Sequence, residues 1–274
     1  MAHPPSKPVR LRLTLAFDGT QYAGWQVQRY GLGVQQKVEE ALAKLFPSAP
    51  RLHGSSRTDA GVHALGLVAH ADVPRAEWRM TPAKLVLALN AHLPEDIRVQ
   101  DARRAPPGFH ARFSAAGKQY RYSVWNHPAQ NPLLRHQVWH VPRTLNVAAM
   151  QAAARRFVGT HDFRAFTANR GVPLIDAVRT VTRCELRRRG PLLTFIIEGN
   201  GFLYKMCRGI VGTLVQLGLG KLTAADLDRI FAGRDRRAAG MTAPAHGLVL
   251  WKVRYGRGRK GAPPHSAADE ELAE

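Results

Sequence analysis

One stretch has the residue types and spacing of a reaction loop: His53-Gly54-Ser55-Ser56-Arg57-Thr58-Asp59-Ala60-Gly61-Val62-His63-Ala64-Leu65-Gly66. Its glycines allow tight turns and close approach of backbone to a ligand. Ser55, Ser56 and Thr58 bond readily to local backbone. Asp59 is the only carboxylate in the stretch and stands two residues from the guanidinium of Arg57. A carboxylate so placed can be a nucleophile, a general base or a positioning group. The plain alternative is a surface turn in which Asp59 caps local backbone. His63 reads as a structural, neutral histidine of the loop or core. No pairing of histidines and carboxylates has a metal-ligand spacing, and His161-Asp162 lacks a partner cluster.

The elements around this stretch follow from periodicity. Val9, Leu11, Leu13, Leu15 and Phe17 alternate with Arg10, Arg12, Thr14 and Ala16, a strand with one buried face. Val34 to Phe46 has one apolar helical stripe, stopped by Pro47. A short strand leads into the Asp59 loop and another leaves it at about Leu67 to Val73. Thr81-Pro82 starts a helix that runs to about Asn90, and Ile97 to Arg103 reads as a strand. The order β-α-β-β-α-β is the ferredoxin-like unit. The second half repeats it. A strand carries Tyr120, Tyr122 and Val124, and a helix spans about Thr144 to Val158. Strands follow near Ala177–Arg187 and Leu192–Gly199. Helices span Phe202–Leu217 and start again at Thr223, and a last strand covers Gly247–Val253. The expected class is α+β, with residues 8–107 and 108–256 as two halves and 257–274 as a disordered tail.

The chain has 274 residues, of which 45% are hydrophobic, enough for one large or two modest cores. Its net charge of +20 argues for a polyanionic partner, with nucleic acid ahead of an anionic membrane surface. No apolar run is long enough to span a bilayer, and Met1 to Pro8 lacks the apolar core of a signal peptide, so a cytoplasmic protein is expected. Cys184 and Cys207 stand far apart and read as small buried hydrophobes. Arginine clusters at 103–104, 155–156, 187–189 and 236–237 and the basic run 254–260 read together as phosphate contacts for a large RNA.

The Asp59 stretch resembles the signature loop of the TruA family of tRNA pseudouridine synthases, where an Arg-Thr-Asp triplet precedes Gly-Val-His. Four further stretches are similar to that family in order and spacing: Phe17 to Gln26; Phe109 to Ser114 with Lys118 to Tyr122; Asn200 to Arg208 with Val211-Gly212; and Ala243 to Leu248. Departures are Ser56, where many relatives have glycine, Phe17, where tyrosine is common, and Cys207, where valine is common. The resemblance implies two ferredoxin-like (βαββαβ) halves whose antiparallel sheets meet across a central catalytic cleft. It implies Asp59 as the catalytic residue, and Tyr120 and Arg208 as substrate-binding residues of the active site. Arg57 would bind a phosphate or brace the loop. Uridine becomes pseudouridine when its N-glycosidic bond breaks, the base turns, and the base rejoins through carbon. The atoms are conserved, so no metal, redox cofactor or energy source is required. An aromatic ring such as Tyr120 can hold a flipped base by stacking.

The resulting expectation is a tRNA pseudouridine synthase acting around nucleotides 38 to 40 of the anticodon stem-loop, as a homodimer sharing one tRNA. Two alternatives stay open at this point: a pseudouridine synthase with another RNA target, such as ribosomal RNA, and a catalytically inactive basic RNA-binding protein.

Overall fold

The computed structural model describes residues 7–168 and 176–256. The expectation of a disordered tail over 257–274 lies outside them. Among the described residues ten strands join one sheet, and five α-helices accompany them. The first strand, β1 (Val9–Phe17), buries Val9, Leu11, Leu13, Leu15 and Phe17, as its alternation requires. It lies between β3 (His63–Val73) and β4 (Ile97–Arg104), antiparallel to both. The two-residue β2 (His53–Gly54) pairs with the other edge of β3.

Two helices cover this group. The first, α1 (Val34–Leu45), buries Val34, Val38, Ala41 and Leu42. The second, α2 (Pro82–His92), starts where Thr81 accepts a hydrogen bond from the Lys84 N–H and Pro82 fills the first turn.

The second group follows the order β10 (Leu248–Tyr255), β5 (Ala115–Trp125), β9 (Leu192–Gly199), β8 (Val178–Arg189), all antiparallel neighbours. The short β6 (Trp139–His140) and β7 (Gly159–Asp162) add to β5 and β8. The pattern of alternation did not reveal either, because neither is long enough to alternate. On the apolar face of the group lie Tyr120, Tyr122, Val124, Cys184, Leu186, Leu193, Phe195 and Ile197. Three helices belong to this half: α3 (Val147–Arg155), α4 (Met206–Gly218) and α5 (Ala224–Gly233). Thr223 and Asp226 close a capping box on α5. Both cysteines are buried free thiols, and burial pushes Cys184 up to about 12. Among the described residues no helix is long and apolar enough to cross a membrane.

The two groups are continuous. β10 pairs in parallel with β3 at two positions only, Val249 with His63 and Leu250 with Ala64. β3 begins at His63, four residues before the expected Leu67, and the early start supplies this seam. Two helix starts moved inward. α4 starts at Met206, not Phe202, because Lys205 takes a left-handed conformation (φ 56°) that breaks the helix before it. α3 starts after Asn146, whose side chain accepts from the Ala149 N–H.

The placement of α4 rests on Gly212. A Cβ there would lie 1.7 Å from the carbonyl oxygen of Met241, so helix and chain touch backbone to backbone. Gly212→Ala is expected to destabilise the protein by about 1–3 kcal/mol, as overpacking does. A thermal melt should fall by several degrees, and an unchanged midpoint would mean that this contact constrains nothing.

Candidate active site

The Asp59 loop is suspended between β2 and β3 and is held mainly by main-chain bonds. The Ser55 N–H donates to the Val68 carbonyl (2.7 Å), and Ser55 Oγ accepts from the Val68 N–H (3.2 Å). The Trp25 N–H donates to the Thr58 carbonyl (3.2 Å) and the Gly61 N–H to the Tyr22 carbonyl (3.2 Å). Gly24 makes the first of these approaches possible: its φ is +107°, and a Cβ there would lie 2.4 Å from the Thr58 oxygen. The Val62 N–H turns back onto the Asp59 carbonyl (3.1 Å). The segment 17–26 therefore acts as a cradle for the loop, and buried Trp25 and Phe17 pack as a stacked pair beneath it.

His63 closes the loop on its other side. His63 Nδ1 lies 3.0 Å from the Gly19 nitrogen and 3.0 Å from Asp18 Oδ1, and Nε2 lies 3.1 Å from the His246 carbonyl oxygen. This is a structural role. Lys118 on β5 donates from Nζ to the Ser55 carbonyl (2.7 Å). Residues from both groups of the sheet thus fix one loop.

Asp59 and Arg208, which lie on different halves, meet here. Arg208 Nη1 donates to Asp59 Oδ2 at 2.8 Å, with the two side chains 12% and 18% exposed. The guanidinium is anchored a second time, since Nε donates to the Ala243 carbonyl (2.7 Å) while the Ala243 N–H donates to the Arg208 carbonyl (3.1 Å). The arginine stands in the first turn of α4, where Gly209 lies against the backbone of Phe166. A charge-assisted bond in such a setting orients a carboxylate and keeps it a strong acceptor.

Tyr120 lies beside this pair. It is 8% exposed, and its ring meets Phe202 edge-on at 5.1 Å. Burial pushes its phenol well above the ordinary value; the electrostatic influence of Cys207 and Asp59 adds to this, and the Ser56 hydroxyl opposes it. Tyr122, two residues along β5, donates to the Pro244 carbonyl (2.8 Å) and so supports the segment that anchors Arg208. Arg57 is exposed, between buried Ser56 and Thr58. The side-chain hydroxyls of Ser56 and Thr58 are buried without a full hydrogen bond. Among the described residues no three His, Cys, Asp or Glu side chains converge as metal ligands would.

The structure thus brings together Asp59, Arg208 and Tyr120, and leaves Arg57 on the outer side of the loop. Sequence reasoning missed Lys118 and the carbonyl of Ala243. Lys118 carried a signal, a cation two residues before the buried Tyr120 on the same strand. A main-chain acceptor such as Ala243 carries none.

A family model described as tRNA pseudouridine synthase matches residues 14–114 and 153–256. Relatives described as tRNA pseudouridine synthase A are similar over most of the chain. The one from Solidesulfovibrio magneticus is 50% identical over 254 residues, covering 90% of this chain and 91% of the relative. Those from Methylacidiphilum infernorum and Shouchella clausii are 44% and 45% identical, over 90% of this chain and 96% and 94% of theirs.

The Arg208–Asp59 geometry makes a specific demand on mutants. Arg208→Met should lower the single-turnover rate at saturating enzyme by about 100-fold or more, with far less effect on RNA affinity. Arg208→Lys should recover only part of the loss, since it restores charge without the planar fork. A wild-type single-turnover rate in Arg208→Met, with weakened binding alone, would make Arg208 a phosphate contact.

Proposed function

The chain belongs to the tRNA pseudouridine synthase family, and from that membership we propose that Asp59 is its catalytic residue, isomerising uridine in the anticodon stem-loop at nucleotides 38 to 40. The observation that carries this reading is the 2.8 Å pair of Asp59 and Arg208, the only carboxylate of the signature loop met by an arginine from the other half. The enzyme is an isomerase. Asp59 supplies a carboxylate nucleophile towards the base or the sugar, and Arg208 keeps that carboxylate oriented. Tyr120 supplies a ring against which the detached base is held while it turns. Arg57, on the exposed side of the loop, contacts a phosphate of the RNA. The reaction moves no electron pair out of the substrate and needs neither metal nor redox cofactor.

The finer fold reading supports a cleft between two related halves, 8–107 and 108–256. In the first half the order is β4, β1, β3, with β2 on the edge of β3 that further along meets β10. In the second it is β10, β5, β9, β8. Each is the fourth, first, third and second strand of a βαββαβ unit. The Asp59 loop comes from the first half and Arg208 from the second, so the cleft is where the seam lies. The protein works in the cytoplasm on tRNA, as a homodimer in which one tRNA spans both subunits. The +20 charge suits a substrate of that size.

Asp59→Ala should abolish conversion and leave the melting transition and tRNA affinity near wild type. Chemical labelling of pseudouridine in an unmodified tRNA transcript reads this, and also which uridines react; intact mass does not, since the product is an isomer. Conversion by Asp59→Ala at more than a trace rate would remove Asp59 from the chemistry. Binding should also weaken steeply with salt. Six to ten phosphate contacts imply a loss of about 10³–10⁵ in affinity between about 50 and 200 mM salt. An affinity flat over that range would assign the charge excess to something other than RNA.

A further inference from the structure

Among the described residues Tyr30 is the one phenylalanine, tyrosine or tryptophan that is exposed, at 79%. It lies in an unbroken run of exposed residues, 27–32, that also carries the apolar side chains of Val27 and Leu32. Clustered apolar side chains left in water mark a contact surface. The guanidinium of Arg29 sits over the Tyr30 ring, 5.6 Å from its centroid. The run is no slack tether. The Ala23 N–H donates to the Leu32 carbonyl (2.9 Å), the Val34 N–H to the Gly24 carbonyl (3.1 Å), and Gln28 Nε2 to the Ala23 carbonyl (2.7 Å). Gly33 is pressed against Gln26, whose carbonyl oxygen would lie 2.4 Å from a Cβ there. The run therefore closes on its own base, and that base is the part of the cradle that touches the Asp59 loop. A Cβ on Gly24 would lie 3.2 Å from the Asp59 carbonyl carbon. Counted along these contacts, the Cα atoms of Tyr30 and Asp59 are within about 20 Å of each other.

We propose that Tyr30, capped by Arg29, is a shelf on which an unpaired base of the RNA stacks, near the reacting uridine and separate from the ring of Tyr120. The proposal rests on the tRNA reading above. A uridine drawn out of its strand leaves the neighbouring bases without a stacking partner, and an exposed aromatic face replaces that partner whatever the base. Tyr120 is buried against Phe202 and has no face to spare for a second base. Tyr30 has one, because its ring is covered by a guanidinium and little else. The pairing of ring and cation suits a nucleotide, which offers a flat base and a phosphate together. A second copy of this chain is a poorer match, since it would bring its own +20 excess to the same place. The loop is already bonded in the free protein, so little freedom is lost when the base arrives.

The test uses the full chain carrying Asp59→Ala, which prevents turnover, and an unmodified tRNA transcript. Adding Tyr30→Ala should weaken binding about tenfold. Tyr30→Phe and Tyr30→Trp should stay within about twofold of the parent, since stacking needs the ring and not the hydroxyl. The salt slope should be the same in all of these proteins, because a stacked base releases no counterion. Single abasic sites placed through the anticodon loop should reveal one position where the parent loses about tenfold and Tyr30→Ala loses nothing further. The shelf is overturned if Tyr30→Ala binds like its parent, if Tyr30→Phe falls as far as Tyr30→Ala, or if no abasic position removes the difference. A salt slope lowered by about one in Tyr30→Ala would also overturn it, for the tyrosine would then only hold Arg29 on a phosphate. The thermal midpoint of Tyr30→Ala should match the parent, and a fall of several degrees would make the ring a packing element of the loop instead. A changed sedimentation coefficient with unchanged RNA affinity would give the loop to a second copy of the chain. Failure of the tRNA reading would appear elsewhere, as a wild-type enzyme that converts no uridine in tRNA.

Discussion

The ion pair of Asp59 and Arg208 is the interaction that the surrounding structure is arranged to permit. Two largely buried charges attract strongly but lose much hydration, and the balance is favourable only with good geometry and further hydrogen bonds. Both conditions require backbone that does not drift. On the arginine side, α4 is pressed against other main chain at Gly209 and Gly212, and Ala243 grips Arg208 through both its N–H and its carbonyl. On the aspartate side, the loop is tied to Tyr22, Trp25, Val68 and Lys118. Loosening either support would leave a half-buried carboxylate without a partner.

Much of this support is main chain to main chain. Carbonyls of Thr58, Tyr22, Val68, Ala243, Pro244 and His246 act as acceptors around the site. Side chains there have two kinds of task. Some, such as His63 and Tyr122, reach across to those carbonyls and fix a distance. Others, Asp59, Arg208 and Tyr120, gather at the loop itself. Both ring nitrogens of His63 are already engaged, Nδ1 by the Gly19 N–H and the Asp18 carboxylate and Nε2 by the His246 carbonyl.

Regular elements with strong patterns were legible in the sequence. The alternation of β1 and the stripe of α1 gave their boundaries within a residue or so, because burial on one face dictates both. Asp59 stood out as a lone carboxylate in a glycine-rich loop, and the structure pairs it with Arg208, as the two stretches' resemblance implied. Three things were not legible. The strands β6, of two residues, and β7, of four, are too short for a period to form. The start of α4 depended on the left-handed Lys205, a conformation that residue type does not announce. The seam between β3 and β10 involves residues far apart in the chain, and hydrophobic pattern says which face is buried but not which edge is shared.

That seam has a consequence for the making of the protein. β10 is translated long after β3, yet the two lie side by side, and the chain after Pro244 also carries the carbonyl that meets His63. At about 5–20 residues per second, the first half waits on the order of ten to forty seconds for the strand that completes its edge. During that interval part of β3 stays open to pairing with another chain. The Asp59 loop is also without its Arg208 and His246 partners for most of that interval, so its final shape waits on the second group of the sheet.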